Sequence, residues 1–230
     1  GITRWSEYHK GQLEWLLGYI RKTSSKTLKF QRGKDSWDDL AIECYTDASW
    51  DCPYSTGGYL IALKGNRGTF LPLSWCSKKI SVICTSSAES EAIAATAGVK
   101  ESLSLAALVD DTKETDNTQI DLKVDNTALI QAIKRGQSKK MAFMRKHCGL
   151  SFMFLKQVHM SVAHVGTQDN LADIMTKRLS QAPLNNLLPY LECLSDSNKL
   201  KQMEKSIQSS LDELAAVLCG LVPVRVRNRS

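Results

Sequence analysis

Three apolar runs follow one another in the first third of the chain, at residues 40–48, 57–63 and 69–76, with only short connectors between them. A parallel pair needs a crossover of about a dozen residues or more, so strands joined this tightly pair antiparallel. The second connector, Lys64-Gly65-Asn66-Arg67-Gly68, carries the glycines and the asparagine that a hairpin turn requires. The chain is thus committed early to an antiparallel meander, and the residues after it must cover its faces.

Beyond the meander, strands and helices alternate. Residues 87–109 are rich in Ala, Glu and Leu and read as a helix, with Ser86 or Ser87 as its cap and Glu89 in its first turn. Residues 119–124 read as a strand with Ile120, Leu122 and Val124 on one face, 127–134 and 141–157 as helices, 158–165 as a second strand, and 170–177 as a further helix. Hairpins succeeded by strand–helix alternation predict an α/β fold, a mixed sheet with helices packed on it. Before this unit, residues 5–22 predict a helix with Tyr8, Leu13, Leu16, Leu17 and Ile20 on its apolar face, and 27–30 a short strand. Beyond it, Leu200, Met203, Ile207, Leu211, Leu214 and Leu218 recur at helical spacing within 196–218, ahead of a basic tail with Arg225, Arg227 and Arg229.

Composition removes several classes. With 43% hydrophobic and 23% charged residues in 230, the chain can bury one sizeable core and is not disordered as a whole. The seven cysteines form no Cys-x-x-Cys pair and show no ligand spacing with the four histidines, which argues for reduced thiols and against a disulfide framework or zinc. No apolar run reaching about 20 residues and no leader-like amino terminus are read in the sequence, so a membrane is not expected as a partner. The first residue is Gly rather than Met, as in a fragment, a processed product or a tagged form. A net charge of +6 favours partners that carry phosphate.

Four acids stand where such a fold can gather them. Asp47 lies near the end of the first strand, Asp125 just past a later strand, Glu91 one turn into the main helix with Glu89 as its rival, and Asp173 in the last helix of the unit. Strand ends border the crevice in which open α/β sheets bind ligands. Clustered carboxylates repel one another unless cations neutralise them, and hard oxygen ligands suit Mg²⁺ or Mn²⁺. Taken singly, each has a plainer use: an aspartate before a turn is usually a turn or cap residue, and helices carry many solvated glutamates.

Six segments stand in order: Tyr45-Thr46-Asp47-Ala48-Ser49-Trp50 with Ser55-Thr56-Gly57-Gly58-Tyr59, Leu73-Ser74-Trp75-Cys76-Ser77-Lys78-Lys79, Thr85-Ser86-Ser87-Ala88-Glu89-Ser90-Glu91-Ala92, Val124-Asp125-Asn126-Thr127-Ala128, Arg145-Lys146-His147 and Gln168-Asp169-Asn170-Leu171-Ala172-Asp173-Ile174-Met175-Thr176-Lys177. In combination they resemble the ribonuclease H domain of Ty1/copia-type retrotransposon polyproteins. The resemblance implies a ribonuclease H-like fold, with a five-stranded mixed sheet of an antiparallel meander plus two parallel strands, flanked by helices. It implies three regions: 1–39, an amino-terminal helix and connector like the reverse transcriptase connection; 40–180, the ribonuclease H-like domain; and 181–230, a helical extension with a basic tail.

The same resemblance implies catalytic and metal-binding roles for Asp47, Glu91, Asp125 and Asp173, with two Mg²⁺ or Mn²⁺ ions. Glu91 is preferred to Glu89 because the residues after it match ribonucleases H more widely, and positions two apart on a helix point about 200° from each other. His164 matches, by its place ahead of the last aspartate, a histidine thought to assist product release; it equally suits a packed strand position. Ser87, Asn126 and Lys146 are expected to contact nucleic acid. The implied activity is endonucleolytic hydrolysis of the RNA strand of RNA–DNA hybrids during reverse transcription. Implied partners are the hybrid, an upstream reverse transcriptase domain and a protein bound through the 196–218 helix. The setting would be intracellular, in a cytoplasmic retrotransposon particle or the nucleus. The rival expectation is a domesticated descendant that keeps the fold as a binding or structural module.

Overall fold

The computed structural model describes residues 5–24, 26–51, 54–114, 117–137 and 146–194. The chain divides into two compact units, Lys29–Leu191, and Gly1–Leu28 with Glu192–Ser230. In the smaller unit, helix α1 (Glu7–Thr23) starts at Ser6, whose backbone N–H donates to His9 Nδ1 at 3.2 Å. Strand β1 (Lys26–Leu28) pairs antiparallel with the last described strand, β7 (Glu192–Leu194). The apolar face expected on α1 is not buried: no residue of the helix is, and Tyr8 and Leu16 are exposed. The 196–218 helix and the arginine tail lie outside the described residues.

The larger unit is built on strands β2 (Ala41–Ser49), β3 (Thr56–Lys64), β4 (Phe70–Lys79), β5 (Ile120–Val124) and β6 (Ser161–His164), in the spatial order β4-β3-β2-β5-β6. The meander β2–β3–β4 is antiparallel, whereas β5 runs parallel to β2 and β6 parallel to β5. This is the five-stranded mixed sheet of the ribonuclease H-like fold, flanked by helices on both faces. β2 lies at its centre, and seven consecutive residues from Ile42 to Ala48 are buried, as a strand covered on both sides should be.

Strand alternation sorts side chains into two cores. Ile42, Cys44, Ile61, Leu63, Ile120, Leu122 and Val124 face a cluster with residues of α2 (Ser87–Lys113), α3 (Thr127–Arg135) and α4 (Lys146–Gln157), including Ala95, Val99, Ile133 and Leu155. Tyr45, Leu60, Ala62 and Phe70 face the other way, onto Leu171, Ala172 and Leu187. Fully burying a Leu or Ile side chain contributes about 1.5–3 kcal/mol, so each cluster supports its own layer.

α2 begins where Ser86 accepts a hydrogen bond from Glu89 N–H, and ends on Glu114 in the left-handed region. By length and composition alone α2 is long and apolar enough to cross a membrane, although charged residues such as Glu91, Lys100 and Glu101 keep its uncharged runs short. It instead buries ten residues in the unit, where small Ala, Gly and Ser side chains let it lie close to the sheet. Gly98 is a point of close approach: a Cβ there would stand 2.8 Å from Cys44 Sγ.

Two expected elements are shorter than expected, and a third is described only in part. The strand expected at 158–165 is only Ser161–His164, because Val158 N–H still bonds Phe154 O in the last turn of α4. The expected helix at 170–177 shrinks to α5 (Asp173–Thr176), since Asn170 is extended and a 3₁₀ turn, Thr167–Asp169, precedes it. The part of the 141–157 helix before Lys146 lies outside the described residues. Helix α6 (Gln181–Leu191) opens the region expected as a helical extension, where the sequence reading places no helix at these residues; it carries Pro189 inside it, and its Leu187 is 2% exposed in the second core.

Candidate metal centre

Register brings the first two acids together. Tyr45 of β2 pairs with Lys123 of β5 in a parallel ladder, so advancing two residues on each chain sets Asp47 beside Asp125 on the same face, at the carboxyl ends of adjacent strands. The third acid arrives from the segment after β6. Buried Asn170 donates its amide to Thr46 O at 3.1 Å, one residue before Asp47, and accepts from Ala172 N–H at 3.2 Å. That pins the start of α5 against β2 and delivers Asp173. Asp47, Asp125 and Asp173 each offer a carboxylate oxygen, and these oxygens lie within 4.8 Å of one another. Asp47 and Asp173 are buried, and Asp125 is half-buried.

Glu91 stands next to this trio but outside it. Its Oε2 accepts from Asn126 Nδ2 at 2.7 Å, while Asn126 Oδ1 caps α3 by accepting from Ala128 and Leu129 N–H. Burial pushes the Glu91 carboxyl up to about 7; Asp125 and Asp47 add to the rise, and the Asn126 hydrogen bond and Lys177 oppose it. Burial also raises Asp173, against the hydrogen bond from Lys177. Glu89 has a different use: it is buried, and its Oε2 accepts from Thr85 N–H at 2.6 Å and Thr85 Oγ1 at 2.9 Å, closing the entry to α2.

The remaining expected residues surround these. Ser87 is exposed at the first position of α2, one turn before Glu91 and on the same helix face. His164 Nε2 lies 3.1 Å from the Asp125 carbonyl oxygen, so the ring meets the backbone of the site rather than its carboxylates. Thr167 Oγ1 approaches Asp125 Oδ2 at 3.4 Å. Lys146 opens α4, and its side chain lies outside the described residues.

Sequence reasoning overlooked three residues. Asn170 holds the two halves of the site together through its bonds to Thr46 and Ala172. Thr176 donates its hydroxyl to Asp47 Oδ2. Lys177 places its Nζ 3.2 Å from Asp47 Oδ1 and 3.0 Å from Asp173 Oδ1, and these two carboxylates hold its ammonium above the usual lysine range although burial works against the charge. Thr176 and Lys177 close the last matching motif, and a polar pair after a short helix otherwise reads as solvated surface.

A set of three convergent carboxylate oxygens, with a fourth carboxylate beside them, is the donor chemistry of a hard divalent cation.

No protein-family model matches the chain. By sequence, the chain is similar to part of retrovirus-related Pol polyproteins from transposons. It is 27% identical over 194 residues to the retrovirus-related Pol polyprotein from transposon RE1 of Arabidopsis thaliana, covering 79% of this chain and 12% of that protein. It is 40% identical over 91 residues to a putative transposon Ty5-1 protein of Saccharomyces cerevisiae (strain ATCC 204508 / S288c), covering 37% of this chain and 27% of that one. The chain thus spans a small part of the curated relatives it matches. Among solved structures it is similar to RNase H1 from the halophilic archaeon Halobacterium salinarum NRC-1, with a TM-score of 0.44 and 13% identity over 65% of this chain and 98% of that one. It is also similar to the prototype foamy virus protease–reverse transcriptase, with a TM-score of 0.37 and 12% identity over 69% of this chain and 21% of that one.

Proposed function

We propose that this chain is the ribonuclease H domain of a copia-type retrotransposon polyprotein and hydrolyses the RNA strand of RNA–DNA hybrids. The observation that carries the reading is the convergence of Asp47, Asp125 and Asp173, from three separate stretches of chain, to within 4.8 Å at the strand ends of a ribonuclease H-like sheet. The sequence relatives, transposon Pol polyproteins, agree with it.

Asp47, Asp125 and Asp173 would hold Mg²⁺ or Mn²⁺, and Glu91 with its neighbouring aspartates a second ion. Bound there, the cations supply an activated water and charge stabilisation for the departing 3′-oxygen of the phosphodiester. The protein's own contribution is orientation. Asn126 fixes the Glu91 carboxylate at 2.7 Å, and Asn170 keeps α5 against β2. Without cations, burial pushes the Glu91 carboxyl up to about 7, and a bound cation would favour its carboxylate form. Ser87, exposed at the start of α2, would meet the hybrid's minor groove, where 2′-hydroxyls distinguish RNA from DNA.

The test is cleavage of a labelled hybrid by the full chain with Mg²⁺. We expect cleavage confined to the RNA strand, abolished by chelator, and reduced about 10³-fold or more in Asp125→Asn, given the size of effects when a centre that stabilises transition-state charge is broken. An Asp125→Asn protein as active as the parent would remove the carboxylate trio from the mechanism.

A further inference from the structure

Lys177 occupies the position between two of the three carboxylates that a cation at this site would need. Its Nζ bridges Asp47 Oδ1 at 3.2 Å and Asp173 Oδ1 at 3.0 Å, the same buried pair that contributes to the trio. The side chain itself is 35% exposed, so its stem reaches in from the solvent edge rather than being packed in place. Its backbone is extended at the end of α5, where the chain leaves the helix.

Resting on the metal-site reading above, we propose that Lys177 competes with the divalent cation for the site: its ammonium and the metal claim the same two carboxylates, Asp47 and Asp173, and the ion gains both only as Lys177 withdraws. Buried carboxylates this close destabilise one another unless a positive charge is near. The ammonium meets that need from within the chain. A divalent ion meets it better, but a positive charge left a few ångströms from it repels it strongly, even at the effective dielectric constant of about 20 suited to protein sites. Lysine is fitted to such an exchange, since it presents a point charge on a flexible four-carbon stem and can turn back to water without breaking a packed core. Lys177 then acts on metal affinity by occupying ligand oxygens, as a positioning residue that is not itself a ligand.

The experiment is a titration of the full chain with Mn²⁺ alone at neutral pH, comparing the parent with Lys177→Gln and Lys177→Arg. Competition predicts that Lys177→Gln binds Mn²⁺ about tenfold tighter or more, that Lys177→Arg stays near the parent, and that Lys177→Gln melts lower in chelator yet gains more from Mn²⁺. A merely structural lysine would give weaker metal binding when removed. Unchanged or weaker Mn²⁺ binding by Lys177→Gln overturns the proposal. A second measurement needs no variant: acylation of Lys177 in the parent, followed by mass spectrometry, should rise when Mn²⁺ saturates the site. Equal labelling with Mn²⁺ and with chelator overturns it as well. Failure of every variant to bind Mn²⁺ would overturn the metal-site reading itself, whereas tight binding indifferent to residue 177 sinks only the competition.

Discussion

Glu91 shows how one side chain ties the site to the stability of the fold. Burial, helped by Asp125 and Asp47, lifts its carboxyl from 4.5 to about 7. Between those values the folded protein keeps a proton that the unfolded chain has released. Stability from this group is therefore complete below its ordinary value and is lost as the pH rises through about 7. Asp173, raised by burial as well, acts with the same sign. In chelator, the melting temperature of the parent should fall between about pH 5 and about pH 8, and Glu91→Gln should remove much of that fall, because the amide carries no charge to bury. Added Mg²⁺ should restore the parent at the upper end and do less for the variant, since a bound cation favours the carboxylate. Parallel pH profiles for the two proteins would show that Glu91 is not buried beside negative charge. The residue itself was readable from its motif, and the Glu89 ambiguity came down to helical phase, with Glu89 turned inward to Thr85.

At the scale of elements, the site depends on how closely α5 lies on the sheet. Gly58 pairs with Asp47 across β2 and β3, and a Cβ on it would stand 2.7 Å from Met175 Cβ and 2.8 Å from Thr176 Cγ2. Gly58→Ala must lift α5, and with it Asp173, Thr176 and Lys177. Overpacking of this kind costs about 1–3 kcal/mol, and Mn²⁺ affinity should drop alongside the melting temperature. Gly57→Ala makes a fair comparison: its Cβ points to the opposite face and meets Ala94 Cβ and Ile80 Cδ1 at 3.3 Å, a contact that slight movement relieves. Unchanged Mn²⁺ affinity in Gly58→Ala would mean that α5 retreats without carrying Asp173 away. The Gly-Gly pair was legible only as part of a family-like motif, since the helix that rests on it is invisible locally. The strands of the meander and the long helix could be read directly, because alternation and Ala-rich runs report burial on fixed faces. α6 could not: Pro183 and Pro189 interrupt its helical signature, and Leu187 is buried only because the far face of the sheet is there to receive it. Lys177 was hidden for a related reason, because its bridge spans Asp47 and Asp173, residues far apart in the chain.

Over the whole molecule, two charge patterns oppose each other. The chain carries +6 overall, whereas the site gathers carboxylates that by themselves repel a polyanion. On the proposed function, a hybrid would be drawn by basic side chains away from the acids and held over the acids once cations are bound. Attraction of that kind releases counterions from the nucleic acid, so affinity falls linearly on a logarithmic scale with salt, by a slope of about 0.9 for each phosphate neutralised on a duplex. With roughly three such contacts, binding should weaken at least tenfold between about 50 and about 200 mM salt. Fluorescence anisotropy with Asp125→Asn and Mg²⁺ would measure this with the substrate uncut. On the proposed function, preference for the hybrid over duplex DNA would have a different origin, because 2′-hydroxyl contacts release no ions. Raising salt should therefore lower both affinities in parallel and leave their ratio nearly constant. A ratio that collapses as salt rises would mean that discrimination rests on charge alone, and Ser87 and the rim of α2 would then have no part in choosing RNA.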